Sequence, residues 1–138
     1  MFEVYDVDPS SNSRLANVST RGFVNTGDDA MIGGTIITGN SSAKVLIRAL
    51  GFSLGAFGIE HFLDDPTLEL VDQNGASIAF NDDWRSDQEA EIIATGIPPT
   101  DNFESAILRT LTPGAYTAIV RGFDNTTGVA VVEVYQLP

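Results

Sequence analysis

Gly51-Phe52-Ser53-Leu54-Gly55 has the Gly-x-Ser-x-Gly spacing of a nucleophile elbow, in which a strained turn presents a serine hydroxyl to a general base. That chemistry needs a histidine late in the chain, an acid to orient it and a parallel sheet with a helix starting at the serine. The only histidine, His61, follows Ser53 by 8 residues, and no βαβ alternation surrounds them. A five-residue match in a loop rich in Gly and Ser therefore reads as a chain reversal at a sandwich corner. His61, between Glu60 and Phe62, reads as a hydrogen-bonding surface residue. We assign no catalytic residue and expect no enzyme.

Acids offer a different chemistry. Asp28-Asp29, Asp64-Asp65 and Asp82-Asp83 fall in or beside expected loops, with Asp101 and Glu104 downstream. Calcium takes about six to eight oxygens from carboxylates, carbonyls and Asn side chains in loops, and by loop position Asn81, Asp82, Asp83, Asp101 and Glu104 are the expected Ca2+ set. No EF-hand spacing is present, and the plainer reading is a group of solvated loop acids that cap turns and keep the protein soluble. With Cys 0 and His 1 in the chain, thiolate nucleophiles, disulfides and a zinc site of His and Cys are excluded.

The charge balance narrows the partners. Lys+Arg number 7 against 19 Asp+Glu, a net charge of -12, so the surface repels phosphate backbones and anionic lipid. Neither nucleic acid nor membrane insertion is expected, and no apolar run approaches the roughly eighteen residues of a membrane span. The opening Met1-Phe2-Glu3-Val4-Tyr5-Asp6 carries acid where a secretory signal carries base, which leaves either a mature or recombinant form of a secreted chain or a cytoplasmic one, and the strand pattern and resemblance below favour the first. Asn17, Asn40 and Asn125 head N-glycosylation patterns, and the loop positions Asn40 and Asn125 are the accessible ones. Arg14, Arg21, Arg48, Arg109 and Arg121 fall in expected strands, suited to pairing with carboxylates across a contact or within the domain.

The elements that must position these residues are strands. A chain of 138 residues fits one domain, and 13 Gly and 6 Pro separate runs of Val, Ile, Thr, Phe and Tyr. Strands are expected over 2–7, 14–18, 21–26, 30–38, 43–50, 67–72, 76–80, 103–110, 114–122 and 128–136. Asp72-Gln73-Asn74-Gly75 signals a hairpin between the sixth and seventh of these. One helix is expected over 86–95, with Ser86 as N-cap, Glu89 completing a capping box, Ala90, Ile93 and Ala94 on its buried face and Gly96 at its end. It should lie across a sandwich end, and a weaker helical turn occupies 54–57. The pattern is that of an all-β antiparallel β-sandwich, jelly-roll-like, with about nine or ten strands. Residues 1–12 form an N-terminal donor or linker segment and 13–138 the sandwich.

Glu3-Val4-Tyr5 repeats as Glu133-Val134-Tyr135, each after an apolar residue, Phe2 or Val132. Coincidence is the plain reading. The sharper one is that the two segments fill equivalent strand slots, one in its own domain and one in a neighbour's. Phe2, Val4 and Tyr5 are then the anchors of a donor strand, and the 128–136 edge, with Val132, Val134 and Tyr135, its acceptor. Partners are other copies of the chain, and head-to-tail repetition gives a filament or ring.

The stretch from Asp65-Pro66-Thr67 through Asn74-Gly75 to Asn81-Asp82-Asp83-Trp84, with Pro113-Gly114-Ala115-Tyr116 after it, resembles bacterial pre-peptidase C-terminal domains. That resemblance implies a jelly-roll module attached to secreted enzymes or surface proteins. The first half, with Arg14-Leu15-Ala16-Asn17-Val18-Ser19-Thr20-Arg21-Gly22 and Lys44-Val45-Leu46-Ile47-Arg48-Ala49-Leu50-Gly51, is similar to modules found near the termini of large secreted bacterial proteins. In tandem versions Glu-Val-Tyr-Asp ends one copy and leads into the next. The expected function is a non-enzymatic extracellular structural module that self-associates by β-strand addition. The rival is a module binding a glycan or a surface protein, with Trp84 and Tyr116 or Phe123 as its stacking platform.

Overall fold

Short β-branched and aromatic runs, interrupted by glycine and proline before a helix can propagate, bury their apolar side chains by pairing as strands. The computed structural model describes residues 2–4, 18–26 and 29–137, and among them nine strands form two sheets. One sheet contains, in spatial order, β1 (Phe2–Val4), β2 (Val18–Val24), β9 (Gly128–Gln136), β4 (Ala43–Leu50) and β7 (Ser105–Leu111). The other contains β3 (Met31–Ile37), β8 (Gly114–Gly122), β5 (Pro66–Asp72) and β6 (Ser77–Asn81). All pairings between named strands are antiparallel. With β1 set aside, the orders 2-9-4-7 and 3-8-5-6 are those of a jelly roll, two interlocked Greek keys.

Alternation decides the core. Val45, Ile47, Leu68, Leu70, Val120 and Val132 meet between the sheets, each fully buried. The β5–β6 hairpin turns where Asn74-Gly75 directs it: Gly75 has φ +83°, and Asp72 Oδ1 accepts the N–H groups of Asn74 and Ala76 at 2.9 and 3.0 Å.

Three expectations need correction. The expected strands over 14–18 and 21–26 are replaced by one, Val18–Val24, while 14–17 lie outside the described residues. The helix is shorter than 86–95: a 3-10 turn covers Trp84–Ser86 and α1 covers Glu89–Ala94. Ser86 does not cap it, because its hydroxyl donates to the carbonyl of Asp83 at 2.7 Å, and Glu89 pairs with Arg85 instead. Its buried residue is Ile92, whereas Ile93 is 49% exposed. This lid lies on the outer face of the five-stranded sheet, where Trp84 and Ile92 pack on Leu46, Ala106, Leu108 and Tyr135.

The third correction concerns the acceptor edge. β9 pairs with β2 on one side and β4 on the other, so 128–136 has no open margin. Val132, Val134 and Tyr135 are 0%, 2% and 8% exposed and serve their own domain's two cores rather than a contact between copies.

Candidate functional site

Antiparallel pairing sends the connections β2–β3, β4–β5, β6–β7 and β8–β9 to the same end of the sandwich. Backbone bonds stitch that end together: Phe123 N–H donates to Asp65 O at 2.8 Å, Val129 N–H to His61 O at 2.7 Å and Trp84 N–H to Glu104 O at 2.9 Å. Two of these connections bring Asp65, which precedes β5, beside Asp82 and Asp83, which follow β6. One carboxylate oxygen from each lies within 4.8 Å of the others.

The neighbouring donors serve carbonyls, not these carboxylates. Asn81 Nδ2 and the hydroxyl of Ser86 donate to Asp83 O at 3.1 and 2.7 Å, and the Ser105 hydroxyl reaches Asp82 O at 2.6 Å. The peptide units are thereby pinned, while Oδ1 of Asp65, Asp82 and Asp83 is buried with no hydrogen-bond partner among the described residues. Burial, with repulsion from Asp82, Asp83 and Asp101 and a hydrogen bond to Asp82, lifts the Asp65 carboxyl from 3.8 to about 7. Burial and the Asp83 charge raise Asp82 as well. Three convergent hard oxygens that repel one another could hold a hard divalent cation, a class that includes calcium.

The structure gives the other expected ligands different work. Asn81 Oδ1 accepts the N–H of Ala106 at 3.1 Å, holding the Asp82-Asp83 turn to β7. Asp101 Oδ1 accepts Phe103 N–H at 2.9 Å, and its carbonyl accepts the indole N–H of Trp84 at 3.1 Å. Glu104 is 0% exposed and both its oxygens are taken. Its Oε2 accepts Gly51 N–H, Ser53 N–H and the Ser53 hydroxyl at 2.8, 3.1 and 2.6 Å, and Oε1 accepts Asp101 N–H at 3.2 Å. Asp65 was legible only as half of an acidic pair, since its approach to Asp82 depends on the β5–β6 hairpin.

The same contacts explain the serine motif. Ser53 sits in a 3-10 turn, Phe52–Phe57, after an antiparallel strand, and its hydroxyl anchors that turn to Glu104. Gly51 is required by close approach: a Cβ there would stand 1.9 Å from the carbonyl oxygen of Leu63. His61 lies exposed, edge-on to Phe23 with ring centroids 5.3 Å apart.

At the opposite margin of the five-stranded sheet, β1 lies on β2 with Phe2, Glu3 and Val4 opposite Thr20, Ser19 and Val18. On the other side of β2 the same three residues face Val132, Glu133 and Val134. The sequence echo is thus a structural one, Glu3-Val4 and Glu133-Val134 flanking β2 in identical register. The side chains of Phe2 and Val4, and all of Tyr5, lie outside the described residues.

The expected stacking platform does not form, because Trp84 is 2% and Tyr116 9% exposed, leaving Phe123 at 52%. A cleft of about 380 Å³ opens instead beside Phe52, Phe62, Thr100 and Asp101 at the loop end. Asn40 and Asn125 are both exposed; Asn17 and Asp28 lie outside the described residues. Among the described residues, Arg48 pairs with Glu133, and Arg121 with Glu69 at 3.1 Å, both within the domain; Arg14 lies outside the described residues. Among the described residues, no helix is long and apolar enough to cross a membrane.

No protein-family model matches the chain, and no curated protein matches it. Among solved structures, the pre-peptidase C-terminal domain of a collagenase from Bacillus anthracis superposes with a TM-score of 0.51 at 16% identity, covering 84% of this chain and 86% of that one. The fold is that of a pre-peptidase C-terminal domain. A family GH115 4-O-methyl-alpha-glucuronidase also matches, at 15% identity and a TM-score of 0.38, over 96% of this chain and 19% of that one. The pre-peptidase C-terminal fold agrees with the jelly-roll strand order described above.

Proposed function

We propose that the chain is a non-catalytic extracellular structural module that self-associates by β-strand addition, with its loop end clamped by calcium. The observation that carries this reading is the shared register of β1 and β9 on the two sides of β2. A margin of β2 that accepts Phe2–Val4 from its own chain accepts the same segment from a neighbour through the same ladder bonds. The donor segment is the one expected from sequence, but the expectation that it leaves its own sheet open is corrected, since Phe2–Val4 pairs with β2 of its own chain; the acceptor moves from 128–136 to the outer margin of β2. The fold shared with a domain of a collagenase supports the accessory and extracellular parts of the reading.

The calcium clamp rests on Asp65, Asp82 and Asp83. It would neutralise three facing carboxylates and tie the start of β5 to the end of β6, stiffening the loops without chemistry on a substrate. The second reading, a module that binds a glycan or a protein, is favoured by one feature, the aromatic cleft beside Phe52 and Phe62.

A truncation and a peptide test the donor. Protein lacking residues 1–8 should stay folded, lose its assemblies and bind a synthetic peptide of residues 1–8 with a rise in melting temperature. Assemblies that persist unchanged after truncation, or a peptide that does not bind, would remove the donor strand from the account.

A further inference from the structure

Four sheet margins bound the sandwich, and they are not treated alike. On β7, Gln88 acts as a substitute strand: its Nε2 donates to Leu108 O at 2.8 Å and its Oε1 accepts Leu108 N–H at 3.0 Å. Asn81 does the same for Ala106 N–H. β6 is 5 residues long, and its Ile78 carbonyl accepts from Arg109 across the gap between the sheets. The margin of β2 carries β1.

Among the described residues β3 has no such device. It is 7 residues long, Met31-Ile32-Gly33-Gly34-Thr35-Ile36-Ile37, pairs in unbroken register with β8 alone, and contains no charge, no proline and no bulge. Among the described residues no hydrogen bond is made to its open margin. Natural sheets blunt long apolar edges with lysine, proline or cover, and among the described residues β3 carries none of these, which leaves its margin open to another strand. Ile32 and Ile36 are 60% and 70% exposed on its outer face.

Charge and pattern both select a second copy as the partner. On a chain with net charge -12, two molecules approach only where acids are absent. The outer face next to β3 is such a place, because β8 sets Ala115, Thr117 and Ile119 beside Ile36, Gly34 and Ile32. Farther across the sheet, Arg121 and Glu69 cancel each other at 3.1 Å. The strand is also its own complement. Turned about a two-fold axis through Gly34, Ile32 falls opposite Ile36 of the second copy, and Met31 opposite Ile37, so each apolar side chain meets an apolar side chain on the same face.

We propose that β3 is the contact of a two-fold dimer, in which two copies pair this strand antiparallel about Gly34 and join two four-stranded sheets into one continuous sheet. The dimer deepens the self-association reading and rests on it, but uses a different margin from the one that seats β1. Because the contact is isologous, it closes at two copies; combined with strand exchange at β2 it would link chains into longer arrays.

The test is sedimentation equilibrium of the full-length protein, of Ile32→Lys/Ile36→Lys and of protein lacking residues 1–8. Both isoleucines are exposed, so the double variant should keep the parent's circular dichroism and melting temperature. Its lysines would face lysines twice across the axis and should raise the dimer dissociation constant about tenfold or more. A Cβ at Gly34 meets nothing nearer than Tyr116 O at 3.9 Å, and the chain has Cys 0, so Gly34→Cys reports the axis directly. Mild oxidation should cross-link that variant into a disulfide dimer, while Ser77→Cys on the β6 margin stays monomeric. A dimer lost on adding the lysines but kept after truncation supports the β3 contact and overturns the donor strand. The reverse pattern overturns the β3 contact alone. A monomer at every concentration, or a Gly34→Cys protein that does not cross-link, also overturns the β3 contact.

Discussion

Raising the pH of the cation-free protein should destabilise it, and calcium should restore the loss. Asp65 titrates near 3.8 when unfolded and at about 7 when folded, chiefly through burial and then through repulsion from Asp82 and Asp83. The folded state therefore holds this proton more tightly, and its contribution is complete below the unfolded value and lost as pH rises through the folded one. The rise from 3.8 to about 7 sets a ceiling near 4 kcal/mol, and partial contact with water reduces this to about 2 kcal/mol. For a domain of this size that is a fall in melting temperature of about 8 °C between about pH 3.5 and about pH 8 in the presence of a chelator. Calcium at about a hundred times its dissociation constant returns about 2.7 kcal/mol. Asp65→Asn should flatten the pH dependence. Asp82→Asn should stabilise the cation-free protein at high pH, since it removes a repelling charge, and should abolish the calcium effect. Scanning calorimetry of the three proteins with and without calcium measures all of this. Equal pH slopes for parent and Asp65→Asn, or an undiminished calcium shift in Asp82→Asn, would refute the reasoning.

Other perturbations follow from the same contacts. Glu104→Gln places an amide where a buried carboxylate accepts four hydrogen bonds, and urea denaturation should show a loss of about 3 kcal/mol. Gly51→Ala drives a methyl group to 1.9 Å from Leu63 O, so soluble yield should fall sharply, while Gly39→Ala in the β3–β4 turn, where no atom lies within 4 Å but φ is +88°, should cost only the roughly 1–2 kcal/mol of a left-handed backbone. Gln88→Ala bares Leu108 on the β7 margin, costing about 1–2 kcal/mol and increasing light scattering at raised concentration.

Strands with a single buried face were the most legible part of the fold. The alternation Thr67-Leu68-Glu69-Leu70 and the Asn74-Gly75 turn led directly to β5, β6 and their pairing. β4 and β7 read less clearly because the lid covers the outer face of their sheet, so Leu46, Ala106 and Leu108 are buried alongside Val45 and Ile107 and the period of two disappears. The helix face was misread for a related reason: Ile92 rather than Ile93 is buried, a choice set by the sheet beneath and not by the helix's own periodicity. At the loop end, acidic composition pointed to Asp82 and Asp83. It could not separate Glu104, whose oxygens are consumed by Gly51, Ser53 and Asp101, from Asp65, whose Oδ1 is left without a partner. The echo of Glu3-Val4 in Glu133-Val134 was visible in sequence. Its meaning, two neighbours of β2 in one register, required the sheet order.

Strand addition between copies is tested most directly by mixing two singly substituted chains, Glu3→Cys and Ser19→Cys, in a protein whose sequence has Cys 0. These positions face each other across the β1–β2 ladder. The account predicts a disulfide-linked heterodimer of the two chains under mild oxidation. Closure of the ladder only within a chain carrying both cysteines, with no cross-linked heterodimer from the mixture, would contradict it.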